Sequence, residues 1–246
     1  MTKTNQQKVK DFLINNGVII VMFILVIYTG FTSDNFFTKN NFMNILMNMS
    51  SRLVIALGIA GCVITAGCDL SAGRMIGFGA CISGMLLQRM DYSGKFFPDM
   101  QPLNVFVVAL IAMLVCAAFG TVTGFFIAYL NVPPFIATLA MMEIVYGIGL
   151  IVTNATPLGG YVEQYTNVSN GKFLGINYLI WIAIIVAVIT WFIFNMTRHG
   201  KYMYAIGGNP QAAEVAGVPV KATLILIYMK AAAMHGLAGF MLGAKA

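Results

Sequence analysis

The chain has 246 residues, of which 59% are hydrophobic and only 9% are charged. A soluble domain carries roughly 25% charged residues, so a water-soluble globule of this composition could not cover its surface with polar groups. Disorder requires low hydrophobicity and high net charge, and the composition excludes that class too. The 14 Lys and Arg residues behind the net charge of +6 are scattered, without the clustered basic patch of a nucleic-acid binder. The sequence therefore predicts an integral membrane protein.

The first predicted membrane span covers residues 18–32 and follows a polar head at residues 1–16. The head carries Lys3, Lys8 and Lys10, and it is too polar for a cleaved signal peptide. Lysines that flank a membrane helix favour the cytoplasmic side. We therefore expect a retained first helix with a cytoplasmic N-terminus.

A polar break at residues 67–74, with the sequence GCDLSAGR, separates two short apolar stretches at residues 53–66 and 75–87. Short, glycine-interrupted segments around a polar break are typical of a discontinuous helix beside a substrate path. An ordinary tight turn between two spans explains the pattern equally well. Both interpretations stay open on these residues alone.

Four longer apolar segments complete a pattern of about seven spans, since a membrane helix needs roughly 20 mostly apolar residues. They are residues 103–130, 135–152, 178–194 and 224 to the end. Counting from a cytoplasmic N-terminus places the loop at residues 196–221 on the cytoplasmic side, and its three basic residues against one acid agree with that side. We predict an all-α, polytopic membrane helix bundle formed by a single domain over residues 1–246.

Small residues recur at a spacing of four within the predicted spans. In a membrane, such pairs allow the backbones of two helices to approach closely, since no hydrophobic effect drives helices together there. We therefore expect close helix packing at three pairs: Gly73/Gly77, Gly120/Gly124 and Gly239/Gly243.

Motifs for ATP binding, metal binding and hydrolysis are absent from the sequence. No GxxxxGK[ST] loop occurs, so the chain has no visible means of binding ATP itself. The two histidines, His199 and His235, are not at ligand spacing, so we expect structural roles and no metal site. The four cysteines lack CxxC spacing and are expected to be core thiols: Cys62, Cys68, Cys81 and Cys116. A membrane enzyme is poorly supported, and no catalytic residue is predicted.

Two charged residues lie inside predicted spans, Glu143 near the centre of one and Lys230 early in the last. A lone charge at the centre of a membrane helix costs on the order of 3 kcal/mol, so each should face the bundle interior or water. A proton or ion relay is one interpretation, and a structural pair or a snorkelling lysine is the favoured one. We hypothesise that Glu143 and Lys230 compensate each other as an ion pair.

The loop at residues 196–221 contains the most informative pattern, GGNP followed by a run of small residues. Asn209 suits the N-cap of a helix, Pro210 its first position and Gly217 its C-terminal stop. The pattern predicts a turn at residues 207–210 and then a helix of about two turns. A short helix between two spans is well shaped to enter a groove on a soluble partner. An amphipathic connector on the membrane surface is the alternative.

This loop resembles the cytoplasmic coupling loop of the ribose/galactose/xylose branch of bacterial ABC importer permeases, whose pattern is close to T-R-x-G-x-x-x-x-A-I-G-G-N-x-x-A-A-x-x-S-G. Residues 65–73, TAGCDLSAG, are similar to that family's T-x-G-x-D-L-S-x-G segment. Residues 128–139, AYLNVPPFIATL, are similar to its N-x-x-P-F-I-x-T-L segment. The three motifs occur in the family's order and at similar spacing, and the galactose/methyl-galactoside members look most similar.

The resemblance implies a transport subunit of the bacterial inner membrane without catalytic activity, translocating a monosaccharide or galactoside, with galactose or methyl galactoside favoured. Family permeases work in pairs, and a homodimer is favoured here. A cytoplasmic ABC ATPase binds the ATP, so no cofactor is expected on this chain, and a periplasmic sugar-binding protein delivers the cargo. By position, the residues that would dock on the ATPase are Gly200, Gly208, Asn209, Pro210, Ala212, Ala213 and Gly217. Those near the translocation path would be Asp69, Leu70, Ser71, Gly73 and Thr138.

Some features depart from the family pattern. Ala216 stands where serine is common, and Glu143 and Lys230 occupy positions that are usually apolar. The sequence ends at Ala246 within a predicted span, whereas relatives continue, so we expect a fragment or a truncated product. Two other functions stay open: an ion-coupled secondary transporter, which the two charges would favour, and a non-transporting membrane scaffold, which truncation would favour.

Overall fold

The structure is a computed structural model that describes residues 5–245 of the chain. Within those residues it contains ten α-helices and one antiparallel hairpin. The hairpin pairs β1 (Lys172–Phe173) with β2 (Ile176–Asn177). The helices are α1 (Asn5–Thr32), α2 (Lys39–Ile64), α3 (Ala72–Leu86), α4 (Val105–Tyr129), α5 (Pro134–Thr153), α6 (Glu163–Asn170), α7 (Tyr178–Met196), α8 (Arg198–Gly208), α9 (Pro210–Val215) and α10 (Val220–Gly243). The predicted all-α class is confirmed.

Each of the seven apolar segments found in the sequence lies largely within a helix. Five helices among the described residues are long and apolar enough to cross a membrane: α2, α4, α5, α7 and α10. The apolar part of α1, Asn16–Thr32, and the whole of α3 are shorter. A membrane-spanning helix bundle is confirmed, and the number of seven spans stays a prediction.

The chain divides into two compact units, one up to Leu46 and one from Met47 onward. In the first unit, α1 exposes large apolar side chains between Leu13 and Phe31, and Val18 and Phe31 are 86% and 89% exposed. Such a helix is suited to lipid rather than to water. The Asn41 side chain donates a hydrogen bond to the Phe36 carbonyl (2.8 Å) at the start of α2. That residues 1–246 form a single domain, with residues 1–16 as its cytoplasmic head, stays a prediction.

The second unit is built around α10, which packs against α3 and α4. A Cβ atom at Gly236 would lie 2.5 Å from the Ala112 carbonyl oxygen of α4, so only glycine allows this approach. Close backbone contact through small residues is how membrane helices associate. Of the most apolar window of each helix, 56% is buried in α10 and 17% in α7. Helix α10 is therefore the central helix, and α7 is peripheral.

The predicted small-residue packing is confirmed at two of the three glycine pairs. A Cβ at Gly124 would lie 2.7 Å from the Ile225 Cα, and one at Gly239 would lie 2.8 Å from the Ala80 backbone nitrogen. At Gly73 and Gly77 the prediction is wrong for this chain, because the space beyond both residues is open. These two glycines lie on a face of α3 that no other described residue covers.

The polar segment at residues 154–177, between α5 and α7, contains α6 and the hairpin. Tyr165 of α6 is fully buried, and its hydroxyl donates a hydrogen bond to the Phe240 carbonyl of α10 (2.8 Å). One buried aromatic ring therefore fixes this outer segment to the central helix. Helix α6 has only eight residues, which is too short for a periodic pattern of apolar residues to be recognised.

The four cysteines are free thiols. Cys62 and Cys116 are buried, as predicted, whereas Cys68 and Cys81 are partly exposed. The Cys116 thiol lies 3.7 Å from the Met75 carbonyl oxygen, within the contact between α3 and α4. The expectation of core thiols is therefore confirmed for two residues and wrong for the other two.

Candidate functional site

The three segments that carry the sequence motifs meet around the C-terminal end of α2. A Cβ at Gly67 would lie 3.7 Å from the Pro134 ring, at the start of α5. The backbone of Gly207, near the end of α8, is packed against the Ile64 carbonyl oxygen, the last residue of α2. We call residues 65–71, which join α2 to α3, the α2–α3 connection. It is the centre of the candidate site.

The α2–α3 connection is an ordered, non-helical segment. Ala66 has a φ of 56°, in the left-handed region, and the Gly67 amide donates back to the Cys62 carbonyl (2.9 Å). This backbone bond ends α2 in the manner of a left-handed C-cap. Helix α3 then starts at Ala72. The pattern of a polar segment between two apolar helices is therefore present in the structure.

Asp69 lies inside this connection, where one carboxylate oxygen is hydrogen-bonded and the other lies near a histidine. Its Oδ1 atom accepts hydrogen bonds from the Ser71 amide (3.0 Å) and the Ser71 hydroxyl (2.6 Å). Its Oδ2 atom lies 3.6 Å from Nδ1 of His235 on α10. The two side chains are only 3% and 0% exposed. A buried carboxylate requires hydrogen-bond donors, and Ser71 supplies two of them, whereas both ring nitrogens of His235 are buried without a hydrogen-bond partner.

Helix α10 holds the connection at two points on one of its faces. The Tyr228 hydroxyl donates to the Cys68 carbonyl (3.3 Å), and His235, two turns further along α10, contacts Asp69. A Cβ at Gly58 would lie 3.3 Å from the His235 ring, so α2 closes the other side of the imidazole. Neither α10 residue was predicted to lie here. One sequence feature could have indicated His235. A polar side chain within an apolar span requires a polar partner, and the sequence has few polar residues that could serve as one.

The remaining path residues differ in exposure. Leu70 is 40% exposed and Gly73 is exposed, whereas Ser71 is buried. Thr138 on α5 is fully buried, and its hydroxyl donates to the Pro134 carbonyl of its own helix (2.8 Å). The structure thus brings Asp69 and Ser71 into direct contact, and it places Thr138 within the packed interior.

The two charges within predicted spans lie in different surroundings. Glu143 is exposed on α5, and at about 100° per residue it lies on the side of the helix opposite to the buried Met141 and Val145. Lys230 is half-buried beside a cavity of about 20 Å³ that His199 and Thr190 also line. No ion pair joins Glu143 to Lys230 within residues 5–245, so the hypothesis of mutual compensation is wrong.

His199 lies in the first turn of α8 and lines this small cavity. Desolvation by its surroundings, and secondarily the charge of Lys230, lower the pKa of His199 to about 4. The imidazole is therefore neutral at pH 7. Among the described residues, no group of three or more His, Cys, Asp or Glu side chains could hold a metal ion.

The predicted short helix in the loop at residues 196–221 is present as α9. The Asn209 side chain accepts a hydrogen bond from the Ala212 amide (3.0 Å), Pro210 opens the helix, and Gly217 follows it with a φ of 83°. The predicted cap, first residue and stop are confirmed. The predicted turn at residues 207–210 is wrong, because α8 extends to Gly208 and only Asn209 separates the two helices.

Helix α9 presents most of its surface to solvent. Of the loop residues singled out in the sequence, Gly200 and Ala213 are buried, and the others are exposed: Gly208, Asn209, Pro210, Ala212 and Gly217. Val215, at the end of α9, is 91% exposed. An exposed aliphatic residue on a short, uncovered helix is suited to a protein partner.

Helix α8 connects α9 to the end of α2. Besides the contact of Gly207 with Ile64, the Met203 side chain lies 3.4 Å from the position of a Cβ at Gly61. Met203 is 1% exposed and packs in one apolar cluster with Cys62, Ile227 and Tyr228. The exposed α9 and the buried α2–α3 connection are therefore linked through a continuous set of packed residues.

Comparison with known proteins agrees with this arrangement of motifs. Residues 41–246 match the family described as the permease component of branched-chain amino acid transport systems. The chain belongs to this permease family. It is 38% identical to the galactose/methyl galactoside import permease protein MglC of Escherichia coli K12 and 40% identical to that of Haemophilus influenzae, over 98% of this chain and 74% of each relative. It is 30% identical to the ribose import permease protein RbsC of Escherichia coli K12, over 94% of this chain and 70% of the relative.

No solved structure is significantly similar to the permease. Its relatives are transport components, and the five long apolar helices among its described residues support a multi-pass membrane protein. The match to the family covers the α2–α3 connection, the start of α5 and the loop with α8 and α9. All three meeting segments therefore belong to the part of the permease that the family shares.

Proposed function

We propose that this permease is the transmembrane subunit of an ATP-driven importer for a monosaccharide or galactoside, with galactose or methyl galactoside as the favoured cargo. The observation that carries the proposal is the 37–40% identity, over 98% of the chain, to three galactose/methyl galactoside import permeases. The ribose permease is less similar, at 30% identity. The family's description refers to amino acids, but these individual relatives favour a sugar.

Helix α9 is the proposed docking element for a cytoplasmic ABC ATPase. The exposed loop residues named above and the protruding Val215 support this role, since together they form an uncovered helix between two long apolar helices. ATP would be bound by the partner, in keeping with the absence of a phosphate-binding loop from this sequence. The proposed orientation places the N-terminus and this loop in the cytoplasm of a bacterial cell.

Movement of α9 would reach the α2–α3 connection through α8. The Gly207–Ile64 contact and the buried Met203 allow little independent motion of α8 and the end of α2, because close-packed contacts transmit displacement. Asp69 in turn accepts a hydrogen bond from the Ser71 amide and contacts His235 of α10. We therefore place the ATP-driven change of access at residues 65–73, with Thr138 supporting it from within.

A periplasmic sugar-binding protein would deliver the cargo, and a second permease subunit would complete the path. A homodimer is the favoured arrangement. A functional importer would therefore require the permease, the ATPase and the binding protein together.

The decisive experiment measures uptake of radiolabelled galactose by vesicles that contain the permease, its ATPase and its binding protein. We expect uptake that requires ATP on the side of the membrane where the ATPase is bound. This uptake should persist when proton and sodium gradients are collapsed. Deletion of residues 209–217 should abolish uptake while leaving the permease in the membrane. The matched control replaces the exposed Lys172 of the outer hairpin by Ala, which should leave uptake unchanged.

Other outcomes would favour the two competing functions. Uptake that follows an ion gradient and survives the deletion would contradict the proposal in favour of a secondary transporter. Binding of partners with no flux of galactose, ribose or a branched-chain amino acid would favour a scaffold. Transport of leucine in place of galactose would retain the importer and overturn the proposed cargo.

A further inference from the structure

A second polar feature of the membrane region lies on the exposed side of α3 and α5. It consists of Arg74 on α3 and of Tyr146 and Glu143 on α5. The Arg74 guanidinium carbon lies 3.8 Å from the centroid of the Tyr146 ring. Glu143 precedes Tyr146 by three residues, which places the two side chains on neighbouring positions of one helix face. We call these three residues the α3–α5 strip.

The α3–α5 strip is exposed. Tyr146 is 39% exposed, and Arg74 and Glu143 are also exposed. The cation–π contact fixes the direction of the Arg74 side chain, because a guanidinium is attracted to the face of an aromatic ring. Glu143 forms no ion pair within residues 5–245. A guanidinium, an aromatic ring and a carboxylate thus share one surface, and the carboxylate has acceptor capacity to spare.

This surface is at the depth of the membrane. Glu143 is the tenth of the 20 residues of α5, one of the five helices able to cross a bilayer. An ionised carboxylate at that depth is found facing a bundle interior or a water-filled cavity and avoids lipid. The strip must therefore face water or another protein surface, although adjacent positions such as Ile144 are suited to lipid.

Open space lies beside the strip. A Cβ at Gly73, Gly77 or Gly147 would meet no atom within 4 Å. The three glycines lie within three residues of Arg74 or Tyr146 in the sequence. A ligand can therefore approach the polar groups of the strip without meeting another side chain at these three positions.

We propose that the α3–α5 strip lines the water-filled path of this permease and contacts the sugar as it passes. The carboxylate of Glu143 would accept hydrogen bonds from sugar hydroxyls, the Arg74 guanidinium would donate to hydroxyl or ring oxygens, and the Tyr146 ring would cover a C–H face of the sugar. A neutral polyol matches this set, since it offers both donors and acceptors to one anion and one cation. The inference rests on the proposed function and assigns sugar-contacting residues to it.

A second protein chain suits the strip less well than a hydrated sugar. Helix packing onto Gly73 and Gly77 would remove Glu143 from water, and burial of an unpaired carboxylate is strongly unfavourable. Water and sugar hydroxyls satisfy the carboxylate without a fixed partner. The same test distinguishes the two occupants.

The test introduces single cysteines into a permease whose four native cysteines have been replaced and whose galactose uptake is retained. The permease is assembled with its ATPase and binding protein in vesicles. Glu143→Cys is compared with Ile144→Cys, an exposed neighbour (51%) on the same helix that points about 100° away. The probe is a negatively charged, membrane-impermeant methanethiosulfonate, which reacts only with thiols in water.

We expect the reagent to modify Glu143→Cys and not Ile144→Cys, and saturating galactose with ATP and binding protein to slow the modification at least about fivefold. In the native-cysteine chain, Glu143→Leu should lower the maximal uptake rate at saturating binding protein by about tenfold or more, as expected for loss of a charged hydrogen bond. Glu143→Asp should retain a larger part of that rate. Ile144→Leu should transport normally.

Several results would overturn the inference. They are a Glu143→Cys thiol that is inert, modification that galactose does not slow, and normal uptake by Glu143→Leu. Oxidative cross-linking of Glu143→Cys to a second permease chain would make the strip a subunit interface instead. If the native-cysteine permease shows no sugar uptake, the proposed function itself fails; if it transports and Glu143→Cys in the cysteine-free parent is inert, only the assignment of the strip fails.

Discussion

Asp69 and Glu143 are both acids in the apolar part of this permease, and the fold treats them in opposite ways. Asp69 is enclosed between α2, α3 and α10, accepts two hydrogen bonds from Ser71 and lies 3.6 Å from His235. Glu143 is exposed, with no ion pair among the described residues. Because an acid in an apolar setting must be either bonded or hydrated, Asp69 belongs to the packed interior, and the exposed Glu143 fits the proposed hydrated face. The difference separates residues that hold the permease together from residues free to meet a cargo.

The strongest test of this comparison replaces each acid by leucine. Asp69→Leu should lower the free energy of unfolding by about 2–3 kcal/mol, because the Ser71 amide and hydroxyl lose their buried acceptor. Glu143→Leu should change it by less than about 0.5 kcal/mol, as for most surface substitutions. Thermal unfolding in mild detergent, followed by tryptophan fluorescence, measures both. Equal losses would break the comparison, and adding His235→Phe to Asp69→Leu should recover part of the loss.

The next largest effect on stability is expected from glycine substitutions, which compare Gly120, packed against α10, with Gly77, on the open face of α3. Leucine at Gly120 would collide with the backbone of Tyr228 on α10, and overpacking of this kind costs about 1–3 kcal/mol. Leucine at Gly77 enters open space, so it should leave stability unchanged within about 0.5 kcal/mol. The melting temperatures of the two variants in the same detergent provide the measurement. A destabilised Gly77→Leu variant would mean that the open face is covered in the assembled protein.

A single hydroxyl sharpens the comparison further. Tyr228→Phe removes the hydrogen bond to the Cys68 carbonyl and should lower stability by about 1 kcal/mol. Tyr146→Phe removes a hydroxyl from the exposed face and serves as the matched control, with little expected change. Chemical denaturation in mixed micelles resolves differences of this size. A larger loss of stability in Tyr146→Phe than in Tyr228→Phe would contradict the assignment of Tyr228 to the packed interior.

The smallest expected effect is a dependence of stability on pH through His199. Its pKa falls from an unfolded value near 6.5 to about 4 in the fold, so the unfolded chain binds more protons between these values and stability increases with pH there. We expect the contribution of neutral His199 to be complete above about pH 6.5 and to decline as the pH falls toward 4. Since the side chain is half-exposed, the slope should be shallow. Melting temperatures across this range should show a smaller slope for His199→Gln than for the parent.

Local features of the site could be predicted from the sequence, and long-range contacts could not. Asn209, Pro210 and Gly217 each act on the backbone within a few residues, so their capping pattern predicted α9 correctly. The partner of Asp69 lies on α10, and no local pattern indicates which of its polar residues faces the connection. Helix α5 is apolar on nearly every side, so its sequence alone did not show that Glu143 points away from the packed interior. The hypothesis of a pair with Lys230 failed for that reason.

The central position of α10 has a consequence for biosynthesis. Asp69 precedes His235 by 166 residues, since 235 − 69 = 166, and ribosomes add about 5–20 residues per second. The α2–α3 connection therefore waits roughly 10–30 s for the helix that completes it. During that interval the Asp69 carboxylate and the glycine faces of α3 and α4 lack the helix, α10, against which they pack in the folded protein. Maturation of this permease is thus a late, concerted event, and any change that delays entry of α10 into the bilayer lengthens its exposure to membrane proteases.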